Sequence, residues 1–381
     1  MAETLISPGV LARENDSSQI TSQPVQAGAA IVGPTVKGNV NIPTLVTTYS
    51  EYLANFGSTF ESGSDEYSFL TSISAFNYFQ NGGTSLLVTK VASGSFTSAT
   101  SSLIAASAST DNAFTLETLG EGTLMNSDGT YGTNGTLTNG TTDNVRWEIV
   151  NPDLANGVFS VLIRRGDDTN QNKVILETFT NVSLDPKSPN YVARVIGDQT
   201  QTVQGSGTDV YLQTTGNYPN GSRFVRVSSV DKKTPDYFDN NGVAKNAFTS
   251  SIPLAQTGVF GTATGNIVSG MGAAKYYSEI SNTDTQGLLG TNYTTALNLL
   301  ANKDDYRYNI ITAPGLIYEN GATQKTALNS LVSNTENRGD AIVVMDLVNY
   351  NSTIALATST AAEKDSSYVA SYWPWVQITD P

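Results

Sequence analysis

The sequence Ala29-Ala-Ile-Val-Gly-Pro34 opens a block, residues 26–91, that sets the architecture of the chain. Its four apolar residues predict a buried strand, and the Gly-Pro pair predicts a turn directly after it. Residues 44–47 predict a second extended segment, and residues 86–91 predict a closing strand. The block therefore predicts a folded α/β unit.

Two helices are predicted between these strands. Ser50 is a suitable N-cap for a short helix that ends at Phe56, because its hydroxyl can accept from free amides of the first turn, and Gly57 would end that helix. The second helix would begin near Ser64 and stop at Asn81-Gly82-Gly83. It places apolar residues at helical spacing: Phe69, Leu70, Ile73, Phe76 and Phe79. This pattern predicts an apolar face that packs on the strands.

The same alternation of helix and strand returns from residue 284 onward. Residues 308–315 predict a strand that ends in a Pro-Gly turn, and residues 341–346 predict a buried strand. The helix predicted between them has one apolar side: Ala327, Leu328, Leu331 and Val332. This order is typical of a βαβ unit.

The middle of the chain predicts β-structure. Residues 92–144 are rich in Ser, Thr, Gly and Asn and are interpreted as a β-rich surface insertion, with a low-complexity linker as the alternative. Residues 145–150, 159–164 and 173–179 predict antiparallel strands with one buried face. The turn-rich residues 201–285 are interpreted as a second β-rich portion.

Composition argues against catalysis and against a bound cofactor. The 381 residues include no cysteine and no histidine, so a thiolate metal site is excluded and the commonest general base is missing. No phosphate loop, nucleophile elbow or zinc-type ligand spacing occurs. Four residues could collect a calcium ion, but their spacing misses the EF-hand loop, so a polar turn is the preferred interpretation: Asp236, Asp239, Asn240 and Asn241.

The formal net charge of −14 repels nucleic-acid phosphate and anionic lipid. The basic pairs Arg164-Arg165 and Lys232-Lys233 are interpreted as solvated strand ends or as partners for neighbouring subunits. The N-terminus lacks a basic region followed by an apolar run, and no segment approaches the roughly 20 apolar residues that span a bilayer. We therefore expect a chain that stays in a cytoplasm, without nucleic-acid binding or direct membrane insertion.

Short motifs at several places along the chain resemble those of a single protein family. In the first block they are Ile31-Val-Gly-Pro34, Pro43-Thr-Leu-Val-Thr47, Tyr52-Leu-Ala-Asn-Phe-Gly57, Phe76-Asn-Tyr-Phe-Gln-Asn-Gly-Gly83 and Leu87-Val-Thr-Lys-Val91. Further along they are Phe179-Thr-Asn-Val-Ser-Leu-Asp-Pro186 and Arg338-Gly-Asp-Ala-Ile-Val-Val344. In their order and spacing, these segments resemble the contractile tail sheath proteins of tailed bacteriophages of the myovirus type.

The resemblance implies a mixed α+β and α/β fold, in which both ends of the chain build a sheath-protein core and β-rich outer domains are inserted between them. The implied domains are an extended N-terminal arm (1–25), the first part of the core (26–91), the outer domain or domains (92–283) and the second part of the core (284–381). The alternative for the arm is a disordered tail.

The resemblance also implies a structural subunit and not an enzyme. Such subunits form homo-oligomeric six-fold rings stacked helically around the tail tube protein, and they meet baseplate and tail terminator proteins. They are assembled in the host cytoplasm and remain in the virion tail, where contraction drives the tube through the host envelope.

The resemblance implies two groups of functional residues, a subunit-interface arm and a core motif. The arm would lie as a strand against a neighbouring subunit through Ser7, Pro8, Gly9, Val10 and Leu11. The core motif would consist of Val32, Gly33, Pro34, Gly57, Gly82, Gly83, Tyr372, Trp373, Pro374 and Trp375. In the sheath family a segment like the last four precedes a C-terminal domain, and we expect that domain to be missing here.

Two other classes of function remain open at this point. A phage fibre or host-adhesion protein would also suit the Thr-, Ser-, Asn- and Gly-rich segments in the middle of the chain. An enzyme that uses paired carboxylates, such as a glycosidase, has many candidates among 34 acidic residues, but no pair stands out.

Overall fold

The computed structural model describes residues 25–62, 65–107, 111–129, 131–267 and 280–378. The predicted arm residues Ser7, Pro8, Gly9, Val10 and Leu11 lie outside the described residues. The implied boundaries of the arm, the outer part and the core stay predictions.

The described residues form strands and helices that are numbered here in chain order. The strands are β1 (Val25–Gln26), β2 (Ala29–Gly33), β3 (Thr44–Val46), β4 (Thr59–Ser62), β5 (Asp65–Ser68), β6 (Leu86–Lys90), β7 (Ser98–Ser101), β8 (Phe114–Glu121), β9 (Val145–Asp153), β10 (Val158–Arg165), β11 (Ile175–Ser183), β12 (Thr200–Gln204), β13 (Tyr211–Thr215), β14 (Val225–Val230), β15 (Gln256–Gly258), β16 (Phe260–Gly261), β17 (Tyr306–Arg307), β18 (Ile310–Ile317), β19 (Ile342–Asp346) and β20 (Val369–Ala370). The helices are α1 (Tyr49–Phe56), α2 (Leu70–Gln80), α3 (Val192–Ile196), α4 (Asn246–Thr249), α5 (Thr294–Leu299), α6 (Ala322–Arg338) and α7 (Ile354–Ala362).

A six-stranded sheet joins the two ends of the chain. Its order is β20-β19-β18-β2-β6-β3, and every pairing is parallel except that of β3 with β6. Together with α1, α2, α5 and α6 it forms what we call the α/β core. The predicted mixed α+β class is confirmed, and so is the strand, helix and strand order of β18, α6 and β19.

Helices cover this sheet on both faces, which explains why its central strands are apolar throughout. On β2, Ala30 and Val32 pack with α5 and α6, whereas Ala29 and Ile31 pack with α1 and α2. Successive residues of a strand point to opposite faces, so a strand buried on both faces needs an unbroken apolar run. The sequence Ala29-Ala-Ile-Val meets that need.

The helices of the first block differ in detail from the prediction. The N-cap of α1 is Thr48, not Ser50, and its hydroxyl accepts from the amide of Glu51 at 3.1 Å. Helix α2 begins only at Leu70, because the β4–β5 hairpin occupies the preceding residues. The apolar-face prediction for α2 is partly wrong, since Thr71 and Ser72 are buried while Phe76 is only half-buried.

Strand β18 continues through the predicted Pro314-Gly315 turn. It keeps its pairing with β19 on both sides of an irregularity between Thr312 and Ile317. The buried side chain of Gln286 stabilises this irregularity, because its amide donates to the Pro314 carbonyl at 3.1 Å and its oxygen accepts from the amide of Leu70 at 2.7 Å. A distant side chain thus satisfies backbone groups of both β18 and α2.

The middle of the chain forms a second body around its own core, and we call it the β-rich body. Two four-stranded sheets build it, in the orders β11-β10-β9-β15 and β14-β8-β7-β16. The predicted antiparallel strands between residues 145 and 179 are present as β9, β10 and β11, but the predicted single buried face is wrong for β10, which lies between β9 and β11 and is buried on both faces. Trp147, Phe159 and Phe114 are buried at its centre. Since Phe114 and Leu116 lie in β8 and are fully buried, the linker interpretation of this region is wrong.

Candidate interaction surface

A row of large apolar side chains lies in solvent between residues 350 and 378. The exposed members are Tyr350, Ile354, Leu356, Tyr372, Trp373, Val376 and Ile378. Tyr372 and Val376 are each 78% exposed, and Ile354 is 69% exposed. A concentration of this kind marks an interaction site more often than a chance surface. We call these residues, with α7 and the segment 371–378, the C-terminal surface.

Helix α7 contributes the first part of this surface. Thr353 caps it by accepting from the amide of Leu356 at 3.2 Å, and no residue between Ile354 and Ala362 is charged. Only Thr360 is fully buried, while Ala357 packs on the α/β core. The helix therefore touches the core along one narrow side and leaves its remaining apolar residues in water.

The segment after β20 contributes the second part. Strand β20 is the edge of the six-stranded sheet and pairs only with β19. Beyond it, the indole of Trp375 is half-buried and donates to the carbonyl of Val348 at 2.8 Å. That hydrogen bond ties the segment to the core, whereas Tyr372 and Trp373 remain exposed.

A small cavity of about 110 Å³ lies where β19, α7 and this segment meet. Its lining residues are Asp346, Leu347, Val348, Ala357, Ala361, Ser371, Tyr372, Trp373 and Trp375. Burial raises the pKa of Asp346 from 3.8 to about 6, and no charged or hydrogen-bonding neighbour among the described residues offsets that effect. The cavity thus combines aromatic rings with a half-buried carboxylate that has no ion-pair partner among the described residues.

The remaining core-motif residues lie elsewhere in the α/β core. Val32 and Gly33 end β2, and Pro34 follows them, so two strands of the sheet separate this site from β20. A Cβ on Gly33 would lie 2.3 Å from the hydroxyl oxygen of Thr71, and this close approach allows α2 to pack on the strand. These residues serve packing, and the structure does not bring them together with Tyr372–Trp375.

The predicted glycine stops are present at both helices of the first block. Gly57 follows α1 with a φ of +69°, and its amide donates to the carbonyl of Leu53 at 3.0 Å. Gly82 and Gly83 follow α2 directly after Asn81.

The sequence analysis missed an ionic junction between the α/β core and the β-rich body. Lys90, at the end of β6, is fully buried, and its ammonium donates to the carbonyl of Gly38 at 3.2 Å. Burial lowers the pKa of Lys90 to about 8, while the Glu121 carboxylate acts against that decrease. Glu121 itself accepts from the amide of Val40 at 2.9 Å. The sequence feature that could have predicted this junction is Lys90 itself, a charged residue inside the largely apolar segment 86–91.

The basic pair in β10 is not solvated as predicted. Arg164 is fully buried and pairs with Asp168, and Arg146 contacts the same carboxylate at 3.4 Å. Only Arg165 behaves as expected, because it is partly exposed and pairs with Asp167. The prediction for Arg164 is therefore wrong, since its charge is balanced inside the β-rich body.

The residues considered for calcium form a turn. Asp239 accepts from the amides of Asn241 and Val243 at 2.8 and 2.9 Å. Asp236 instead pairs with Lys187 at 2.7 Å. Within the described ranges, no group of three or more acidic residues is close enough to hold a metal ion, and no helix there has the length and apolar character to cross a membrane.

Similar solved structures include two sheath tail proteins. One is the sheath tail protein Lin1278 from Listeria innocua, with a TM-score of 0.39 and 8% sequence identity over 84% of this chain and 47% of that one. The other is the sheath tail protein DSY3957 from Desulfitobacterium hafniense, with a TM-score of 0.34 and 11% identity over 95% of this chain and 55% of that one. This chain spans about half the length of each. No family model and no curated protein matches it.

Proposed function

We propose that this chain is a structural subunit of a contractile phage tail sheath. The observation that carries the proposal is the C-terminal surface, because apolar side chains such as Ile354, Tyr372 and Val376 need a partner chain to leave water. The sheath-like motifs in the first block, in the middle and near residue 340 support the same function. In this proposal the chain is not an enzyme and needs no cofactor.

The proposed assembly is a stack of six-fold rings around the tail tube protein, closed by baseplate and tail terminator proteins. Each subunit would donate its arm, residues 1–25, to a neighbour as an added strand. The arm leads directly into β1, which pairs with β17, so its base is anchored on the α/β core. Edge strands β3 and β20 offer free backbone groups to such an added strand.

Contraction would be a transition between two packings of the same subunits, without nucleotide hydrolysis. Acidic surface of one subunit would meet basic patches of the next, and these local contacts would have to outweigh the repulsion between chains that each carry a net charge of −14. The proposed place of the protein is the virion tail after assembly in the host cytoplasm, and the proposed role is to drive the tube through the host envelope.

Negative-stain electron microscopy of the purified chain, alone and mixed with purified tail tube protein, tests this proposal. We expect tubes or stacked rings. Ile354→Ser should reduce their number, whereas Val243→Ser should not, because Val243 is equally apolar and 61% exposed but lies on the β-rich body. Monomers or compact trimers under every condition would contradict the proposal and favour an adhesion protein.

A further inference from the structure

The carboxylate of Asp346 has an unfavourable environment in the isolated chain. It lines the cavity beneath the C-terminal surface, and its only neighbours in that lining are apolar side chains, aromatic rings and Ser371. The residue is half-buried, and a carboxylate that loses part of its contact with water without a compensating partner is destabilised.

The chain's own nearby lysines are already engaged. Tyr318 donates its backbone amide to the carbonyl of Asp346 at 2.9 Å. The ammonium groups of Lys325 and Lys364 lie over the Tyr318 ring, at 4.5 and 4.2 Å from its centre. Lys325 also pairs with Glu363 at 2.9 Å, and Lys364 donates to Asn329. Neither lysine therefore neutralises Asp346.

The chemistry of the cavity lining favours a positively charged group. Tyr372, Trp373 and Trp375 contribute aromatic rings, whose faces attract positive charge, and Asp346 contributes the opposite charge. An anion would be repelled, and a neutral apolar group would leave the carboxylate desolvated. The volume of about 110 Å³ equals that of roughly three or four water molecules, so it admits the end of one side chain.

A lysine suits the cavity better than an arginine. A guanidinium carries five donors in a planar fork, whereas an ammonium needs fewer acceptors and sits on a flexible apolar stem. The described lining offers a single carboxylate. An ammonium beside Asp346, with its stem against the rings, would satisfy both parts of the lining.

We propose that this cavity binds the ammonium group of a lysine side chain supplied by an adjoining protein chain, with Asp346 as its counter-ion and Tyr372, Trp373 and Trp375 as its aromatic walls. This site does not depend on the sheath function, because any partner that presents a lysine to the C-terminal surface could use it.

Tryptophan fluorescence of the full chain measures the site directly. The chain has three tryptophans, of which Trp147 is buried in the β-rich body and the other two line the cavity. Titration with n-butylammonium chloride at pH 8 should give a saturable change. Asp346→Asn keeps the shape without the charge and should weaken binding about tenfold or more, as expected for loss of a charge-assisted contact.

Several controls separate this site from general effects. Asp365→Asn removes an exposed carboxylate of the same region and should leave the titration unchanged. n-Butanol, which has a similar shape without the charge, and sodium chloride at equal ionic strength should give no saturable change. Trp373→Leu alters a residue that is 41% exposed and should weaken binding without unfolding the chain, which circular dichroism checks.

Two results would overturn the proposal. One is the absence of a saturable change with the wild-type chain. The other is a change of the same midpoint in Asp346→Asn, or one that n-butanol reproduces.

Discussion

The Nε atom of Arg164 and the Oδ2 atom of Asp168 are 2.7 Å apart, and both side chains are fully buried. The same carboxylate accepts from a second nitrogen of Arg164 at 2.8 Å and from the amide of Val174 at 3.0 Å. Arg146 contacts the same carboxylate at 3.4 Å, and Glu148 also pairs with Arg164 at 3.0 Å. Two carboxylates therefore face two buried guanidinium groups, and Asp168 is the one that contacts both and holds the turn between β10 and β11.

Asp168→Asn should therefore destabilise the β-rich body by about 3–5 kcal/mol, the usual cost of leaving a buried charge without its partner. Asp167→Asn is the matched control, because Asp167 pairs with Arg165 at the surface and should cost less than about 1 kcal/mol. Urea unfolding of the three proteins measures both values. Equal midpoints for the two variants would contradict the assigned role of Asp168.

Glu121→Gln should destabilise the junction between the α/β core and the β-rich body by about 1–3 kcal/mol at pH 7, because it removes the charge that compensates buried Lys90. The pKa of Lys90 in the folded chain, about 8, lies below its ordinary 10.5, so the unfolded chain binds this proton more tightly. The contribution of Lys90 to stability should thus rise between about pH 8 and pH 10.5, and the penalty of Glu121→Gln should shrink over that range.

A double-mutant cycle of Glu121→Gln with Lys90→Met tests this coupling. The double variant should be more stable than the sum of the single changes predicts, by about 1 kcal/mol or more. Asp236→Asn, in an exposed ion pair, serves as the control for the loss of a surface charge. Strict additivity at pH 7 would show that Lys90 and Glu121 do not interact.

Asp346→Asn should stabilise the isolated chain at neutral pH. The pKa of Asp346 is about 6 in the folded chain and 3.8 ordinarily, so the folded state binds the proton more tightly. Wild-type stability should fall as the pH rises from about 4 to 6 and then level off. The gain at pH 8 should reach at most about 3 kcal/mol and should shrink towards pH 4. Urea midpoints across this range measure the gain, and a pH-independent difference between the two proteins would argue against a raised pKa of Asp346.

Deletion of residues 1–23 should leave a folded chain that does not polymerise. The deletion ends before Val25, whose strand pairs with β17, so the α/β core keeps its contacts. Circular dichroism and thermal unfolding should match the intact chain, while electron microscopy should show neither rings nor tubes. Normal sheaths from the shortened chain would exclude a role of the arm in assembly.

Much of the α/β core could be predicted because its signals are local. A strand such as Ala29–Gly33 needs an apolar run, and a helix such as α1 ends at a glycine, so neighbours in sequence carry the information. The antiparallel strands β9 and β10 were also predicted, but the predicted single buried face is wrong for β10, whose interior residues are buried on both faces.

What the sequence by itself determined was therefore the strands, the glycine stops and the mixed α+β class. Only the tertiary structure decided the burial of Arg164, the start of α2 and the meeting of Asp346 with Trp373. The amide of Leu70 is satisfied by Gln286, which is 216 residues away along the chain. Charged side chains and backbone groups pair with residues that are distant in sequence and close only in the folded chain. Such long-range contacts leave no periodic pattern in the sequence.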